Sequence, residues 1–470
     1  MFVTIRNSPE GLRPTAKIVA VCAKVDGIGL TPALAEKFAR RARNQIVSNS
    51  EEMMFLTRLR NCREITCPFR MTLALPVAIT RRGHSNSALA EPAAHGTKRH
   101  RISFQVLTST TVALVCWCAL ISGAAAEEKR PHVKIRGIYG GVPVELLEQG
   151  KTLEDFGVNA IFMGSGGLTA ERINLLKKHD AKVYAEFNTM HVAAYLKDHP
   201  DAAPIGVDGK ACPAPHDWQG ICPTHPGYRK FRMEAFRKVL GDFEIDGIWL
   251  DYHHSHASWE RAVPNMPDTC FCERCIGQFA RETKTDLPHA PPPQLAKLLL
   301  GKHSESWVQW RCDVFTDWVR EFRSIISETR PTALLGTFHC PWTDADYGGA
   351  LRNKLAIDLK AQAEYVDVFS IMPYHARFGH QTDPSWISRQ TAWLGEYLGI
   401  QGAPGERHKI WPIVQLSDWG ETVSVDQVRS VLDHGMRSPA TGVMVFNWGS
   451  LRRQTEKVDE MSAFYRAVKP

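Results

Sequence analysis

From Glu127 to its C-terminus the chain alternates short apolar runs with helical periods eight times, and this alternation limits the possible fold more than any other feature of the sequence. The runs cover 133–139, 160–163, 182–187, 246–250, 334–338, 366–372, 410–416 and 442–446. They have the length and the near-continuous apolar character of parallel strands covered on both faces. The intervals carry the helical period: Phe236, Val239, Leu240 and Phe243 fall at i, i+3, i+4 and i+7. A longer stripe runs through Trp307, Trp310, Val314, Trp318, Phe322, Ile325 and Ile326. Eight such units predict an α/β fold, a (β/α)8 TIM barrel with long loops after strands three and four, at 189–226 and 253–305. An open doubly wound sheet is the alternative. Gly140-Gly141 after the first strand does not supply a dinucleotide fingerprint, so no organic cofactor is expected.

The residues ahead of the barrel read differently. Lys98-Arg99-His100-Arg101, an apolar stretch over 106–123 and Ala124-Ala125-Ala126 are the parts of a secretory signal. The expectation is a signal peptide over 98–126 and a catalytic barrel over 127–470, secreted or periplasmic and without a membrane span in its mature form. Residues 1–97 show no sustained period and are expected to be unstructured or untranslated. A signal anchor is the competing reading, because the apolar stretch is near the ~18-residue lower edge for a span. The formal charge of +7 would suit a nucleic acid, but residues 1–126 carry 17 Lys+Arg against 7 Asp+Glu, and the remainder 40 against 43. A slightly acidic barrel is not a phosphate-backbone binder, and no nucleic-acid partner is expected.

Barrels of this kind do their chemistry at the C-terminal ends of the strands. Asp251 follows the apolar run of strand four directly, where a carboxylate is costly unless it is hydrogen-bonded or functional. Glu186 near the end of strand three and Asp418 after strand seven are the other candidate acids. Asp344 and Asp346, beyond strand five, read as solvated loop residues. Around them stand Tyr252, His253, His339, Tyr374, His375, Trp419, Asn447 and Trp448 as candidate substrate contacts. Aromatic faces stack on pyranose C–H faces while imidazoles and amides bond to hydroxyls, so a carbohydrate is the expected substrate. Cleavage of a glycosidic bond needs one protonated and one ionised carboxyl. Asp251 is expected to be the acid and Asp418 the nucleophile or base, the opposite assignment being the alternative, with Glu186 as substitute. No Gly-x-Ser-x-Gly elbow or phosphate loop supports acyl or phosphoryl transfer. Two other readings stand beside hydrolysis: a catalytically silent carbohydrate-binding barrel, and a metal-dependent polysaccharide deacetylase using rim histidines. The second is weakened because His253 and His254 are adjacent on one strand end and alternate in direction.

Cys270, Cys272 and Cys275 form Cys-x-Cys-x-x-Cys, a spacing that lets three thiolates converge on one metal ion. Disulfides compete in an exported protein, but seven cysteines follow the signal and cannot all pair within one chain.

At these residues the chain resembles secreted, barrel-shaped glycoside hydrolases. Their fourth strand reads Asp-Gly-Ile-x-x-Asp-Tyr, here Asp246 to Tyr252. It lies between Cys-Pro-x-x-Pro-x-Tyr-Arg, here Cys222 to Arg229, and Cys-x-Cys-x-x-Cys-x-x-x-Phe, here Cys270 to Phe279. The same order is similar to the family 42 beta-galactosidases. That resemblance implies a structural zinc held by Cys222, Cys270, Cys272 and Cys275, and an acid/base role for the strand-four carboxyl. The galactosidase pattern has Glu where this chain has Asp251 and, after strand seven, Asp418. Trp448 resembles the substrate-platform Trp of many barrel glycosidases.

Overall fold

The computed structural model describes residues 133–468 except Asp217; the signal-like segment and everything ahead of it lie outside the described residues. The strands are β1 (Ile135–Tyr139), β2 (Ala160–Gly164), β3 (Lys182–Asn188), β4 (Gly247–Asp251), β5 (Leu334–His339), β6 (Val368–Ile371), β7 (Lys409–Ile410), β8 (Ile413–Gln415) and β9 (Gly442–Phe446). All pair in parallel, in the order β7-β6-β5-β4-β3-β2-β1-β9-β8. The seventh strand expected over 410–416 is two pieces parted by Trp411-Pro412, because proline has no N–H to give the ladder. β7 bonds to β6 and β8 bonds to β9, so one stretch of chain closes the sheet on itself. With that stretch counted once there are eight positions, and the fold is the (β/α)8 barrel.

The barrel interior is filled by large rings. Phe162, Tyr184, Trp249 and Trp411 are buried, with centroids 4.7 Å apart for Phe162–Tyr184, 4.8 Å for Tyr184–Trp249 and 5.7 Å for Trp249–Trp411. Glycines on other strands make the room: a Cβ at Gly336 would lie 2.1 Å from the Trp249 ring, and one at Gly137 would lie 2.8 Å from Phe162. Trp249 Nε1 donates to Ser370 Oγ at 3.0 Å, which satisfies its polar atom inside the barrel. The strand period of two then decides what stands above this aromatic floor. Tyr139 follows Gly137 by two, Glu186 follows Tyr184 by two, and Asp251 follows Trp249 by two. All three therefore point inward at the C-terminal mouth.

Outside the barrel the Trp stripe lies on the helix Ser304–Thr329, where Trp307, Trp310 and Trp318 are buried in the core. The loops after β3 and β4 pair with each other: Gly206 bridges Thr269, and Phe271 N donates to Ile205 O at 2.9 Å. Among the described residues no helix is long and apolar enough to cross a membrane.

Candidate active site

Two carboxyls sit together on the floor of the mouth. Asp251 is 7% exposed and its Oδ1 accepts the Tyr252 N–H at 2.8 Å. Its carbonyl accepts both the N–H and the hydroxyl of Thr189, each at 2.9 Å, which stitches the ends of β3 and β4 together. Burial pushes the Asp251 carboxyl well above its ordinary range. The neighbouring Glu186, close enough to hydrogen-bond with it, and then Glu260 push it further. Glu186 Oε2 in turn accepts the Tyr139 phenol at 2.6 Å. Burial first, and the charges of Glu186 and Asp251 next, drive the Tyr139 phenol well above its usual value, so it remains a donor.

The third carboxyl comes from a loop. After β4 the chain folds back through an antiparallel bridge between Ser258 and Asn265, and Glu260 lies inside that return. Glu260 is partly buried, and burial raises its carboxyl to about 7. Arg377 works against that rise, Glu186 adds to it, and Arg261 opposes it.

Aromatic side chains flank the three acids. Tyr252 adopts a left-handed backbone with φ of 49°, a conformation that non-glycine residues rarely hold outside constrained sites. Its ring lies 4.8 Å from Trp218 and 5.3 Å from His191, both from the long loop after β3. On the other side Phe446 stacks on Tyr139 at 5.5 Å and packs on Tyr374 at 4.8 Å and on Trp419 at 5.2 Å. The buried Tyr374 phenol is pushed well above its usual value by burial and then by Glu260, Asp251 and Glu186, so it shares their cavity.

Several sequence-selected residues lie elsewhere. Asp418 is exposed, and its carboxylate accepts from Lys457 Nζ at 2.9 Å, Val423 N at 3.0 Å and Gln454 Nε2 at 3.3 Å. It is a fastening point for the C-terminal helix Thr455–Ala467, and the structure does not bring it to the acid group. His253 is packed behind β4, with Nε2 on Phe315 O at 2.9 Å, and His339 Nδ1 bonds to Cys340 O at 3.0 Å. Burial pushes His253, His254, His339 and His375 to about 4, so they are neutral near pH 7. Asn447 caps a short helical turn by accepting Ser450 N at 3.0 Å, and Trp448 is 3% exposed. Asp346 caps its own loop by accepting Thr343 N at 2.7 Å, and Asp344 is exposed.

The four cysteines do converge. Cys222, Cys270, Cys272 and Cys275 have sulfurs all within 4.8 Å of one another, and a metal ion could be held there. None of the seven cysteines of the described barrel is in a disulfide. Cys222 comes from the β3 loop and the other three from the β4 loop, so the cluster brings these two loops together.

No protein-family model matches the sequence, and no curated protein sequence matches it. Similarity appears at the level of structure. The glycoside hydrolase domain of PgaB (BpsB) from Bordetella bronchiseptica superposes with a TM-score of 0.53 at 12% identity, over 71% of this chain and 98% of that one. The beta-galactosidase of Rahnella sp. R3 gives 0.52 at 15% identity over 73% of this chain, and that of the psychrophilic Marinomonas ef1 gives 0.51 at 12% over 71%. The match spans only 57% and 59% of those two galactosidases. The fold is thus that of TIM-barrel glycoside hydrolases.

Proposed function

We propose that the protein is an exported glycoside hydrolase that cleaves an oligo- or polysaccharide with the carboxyls of Glu186, Asp251 and Glu260. The observation that carries this reading is the group itself: three carboxyls, two of them raised above ordinary carboxyl acidity by burial, between aromatic side chains at a barrel mouth. Asp251, buried beside Glu186 and Glu260, keeps its proton well above the ordinary carboxyl range. The Glu186–Asp251 pair stands where the oxocarbenium-like centre needs stabilisation or attack, and the Tyr139 phenol fixes the orientation of Glu186. Glu260, with a proton affinity matched to neutral pH, gives its proton to the leaving oxygen and takes one from water afterwards. This moves the acid role expected of Asp251 to a loop residue, and it replaces Asp418 by Glu186. Asp418 is already engaged by Lys457. Tyr252 and Trp419 line the sugar path, with the buried Tyr374 packed behind them. The rim histidines do not converge on one point: His253 turns to Phe315 and His254 to Ser255 and Trp259, which does not favour a deacetylase. A screen of glycans for new reducing ends tests the reading.

The cysteine cluster suits a structural zinc. With Zn–S near 2.3 Å a tetrahedral site places its sulfurs about 3.8 Å apart. Cys222 lies 3.6 Å from Cys275 and 3.7 Å from Cys272. Four protein sulfurs leave no open position, so the ion would brace the two loops and take no part in bond cleavage. Metal analysis of the purified protein should find about one zinc per chain. Cys272→Ser should lose it, with a lowered melting temperature and weakened activity. Metal-free protein with bridged thiols by mass would overturn the assignment.

A further inference from the structure

We infer that Arg377 is a positioning residue for the proposed reaction, clasping the loop that carries Glu260 to the loop that carries Trp419 so that acid and sugar platform keep one geometry. The inference rests on the glycosidase reading of the site. Arg377 lies beyond β6, in the turn where Phe378 N bonds to Tyr374 O at 3.0 Å. Its own N–H donates at 3.1 Å to Oε1 of Gln415, a fully buried residue at the end of β8, which aims the side chain. The guanidinium then forks. Nε donates to the Glu260 carbonyl at 2.9 Å, and Nη1 donates to the Trp419 carbonyl at 3.1 Å and to the Glu421 carboxylate at 3.3 and 3.4 Å. The guanidinium carbon also sits 4.5 Å from the centre of the Trp419 ring, a cation–π contact on one face of that ring.

Segments following β4, β6 and β8 thus meet on one planar cation. Gly420 fits the same device. Its φ is +87°, and a Cβ there would come within 3.2 Å of Nη1, so a side chain would both strain the backbone and crowd the clasp. Lysine cannot replace this arrangement, since a point charge cannot bond to two carbonyls along fixed directions and cover a ring at once. The side chain is 18% exposed and lies at the mouth, away from the barrel core.

The clasp also sets the charge that Glu260 feels. Charged and titratable groups facing Glu260 are Arg377, Arg261, Glu186, Asp251, Tyr252 and Tyr374. Of the two cations, Arg377 has the larger effect in easing Glu260 ionisation. Removing it therefore makes Glu260 hold its proton more tightly and leaves Trp419 without its backing.

The test needs no substrate for its first arm. The Glu260 carboxyl is followed by carbon NMR on the full chain with labelled glutamate, its signal identified by its loss in Glu260→Gln. In Arg377→Met the titration midpoint should move up by about one pH unit, a tenfold change in proton affinity. Arg377→Lys should give a smaller upward shift. On a glycan that the protein cleaves, the alkaline limb of the activity profile should move with the midpoint in Arg377→Met. KM should rise several-fold in both variants, because lysine does not restore the ring contact. A midpoint unchanged in folded Arg377→Met overturns the inference. Should that variant fail to fold, an unchanged midpoint in Arg377→Lys does the same. If no glycan is cleaved, the glycosidase reading fails separately, while the titration still decides whether Arg377 governs Glu260.

Discussion

Asp251→Asn or Glu186→Gln is expected to lower turnover by roughly three orders of magnitude or more on any glycan the protein cleaves, with glycan binding kept within a few-fold. Each amide is close in shape to the acid it replaces but cannot ionise. The mouth then lacks one of the two carboxyls that face the oxocarbenium-like centre, and the remaining one cannot take over its position. In Asp251→Asn the amide oxygen can still accept the Tyr252 N–H, and the bonds from the Thr189 N–H and hydroxyl to the residue 251 carbonyl do not involve the side chain of residue 251, so the mouth should keep its shape. The flanking rings of Tyr252, Trp218, Trp419 and Phe446 are untouched, which is why binding should survive. Asp418→Asn is the contrast: turnover should stay within a few-fold, because its carboxylate serves Lys457 and a loop N–H. Steady-state kinetics with calorimetric binding separates these outcomes. A large loss in Asp418→Asn together with near-normal Asp251→Asn would return the acid pair to the strand-seven position.

Glu260→Gln should lower turnover by about two to four orders of magnitude and also change how stability depends on pH. The sign follows from proton counting. The folded Glu260 titrates at about 7 against an ordinary 4.5, so between those values the folded chain holds a proton that the unfolded chain has released. The stability linked to this group is complete below about pH 4.5 and is lost as pH rises through about 7. Glutamine removes that dependence. The variant should be equal to the parent near pH 4 and more stable at pH 8, by on the order of 1–3 kcal/mol. Asp251 has a raised proton affinity as well, but it is present in both proteins and does not generate the difference by itself. Chemical denaturation across pH 4–8 measures the gap. A difference that does not vary with pH would show that the Glu260 carboxyl is not raised by burial.

The barrel and its two floor acids were legible because strand chemistry is local. A buried strand alternates its faces, so Asp251 two residues after Trp249, and Glu186 two after Tyr184, must enter the mouth once the rings fill the interior. Asp418 shows where that logic stops. Past Leu416 the chain is no longer a strand: Ser417 Oγ turns to the Phe446 carbonyl, and Asp418 swings out to Lys457, 39 residues later in sequence. Nothing local specifies that partner. Trp448 has the same history, since it opens a helical turn capped by Asn447 and is drawn into the core.

Glu260 was missed for the opposite reason. It sits on a loop with no period, and only the Ser258–Asn265 bridge returns it over the floor. Trp218, His191 and Arg377 are likewise placed by loop packing, and the only signal available was the number of aromatic and charged residues in the long insertions. The cysteine spacing pointed directly to three of the four clustered thiols. The fourth, Cys222, stands 50 residues before Cys272 and came only from the resemblance to the galactosidase motif.

The central claim is that this group of carboxyls breaks glycosidic bonds, and the most direct measurement sets turnover beside binding on the same glycans. The protein should release new reducing ends from at least one glycan that it binds, with activity falling above about pH 7 as Glu260 gives up its proton, and Glu260→Gln should bind that glycan without cleaving it. Firm binding by the parent protein with no reducing ends released at any pH from 4 to 9 would contradict the account and identify a barrel that holds carbohydrate without cutting it.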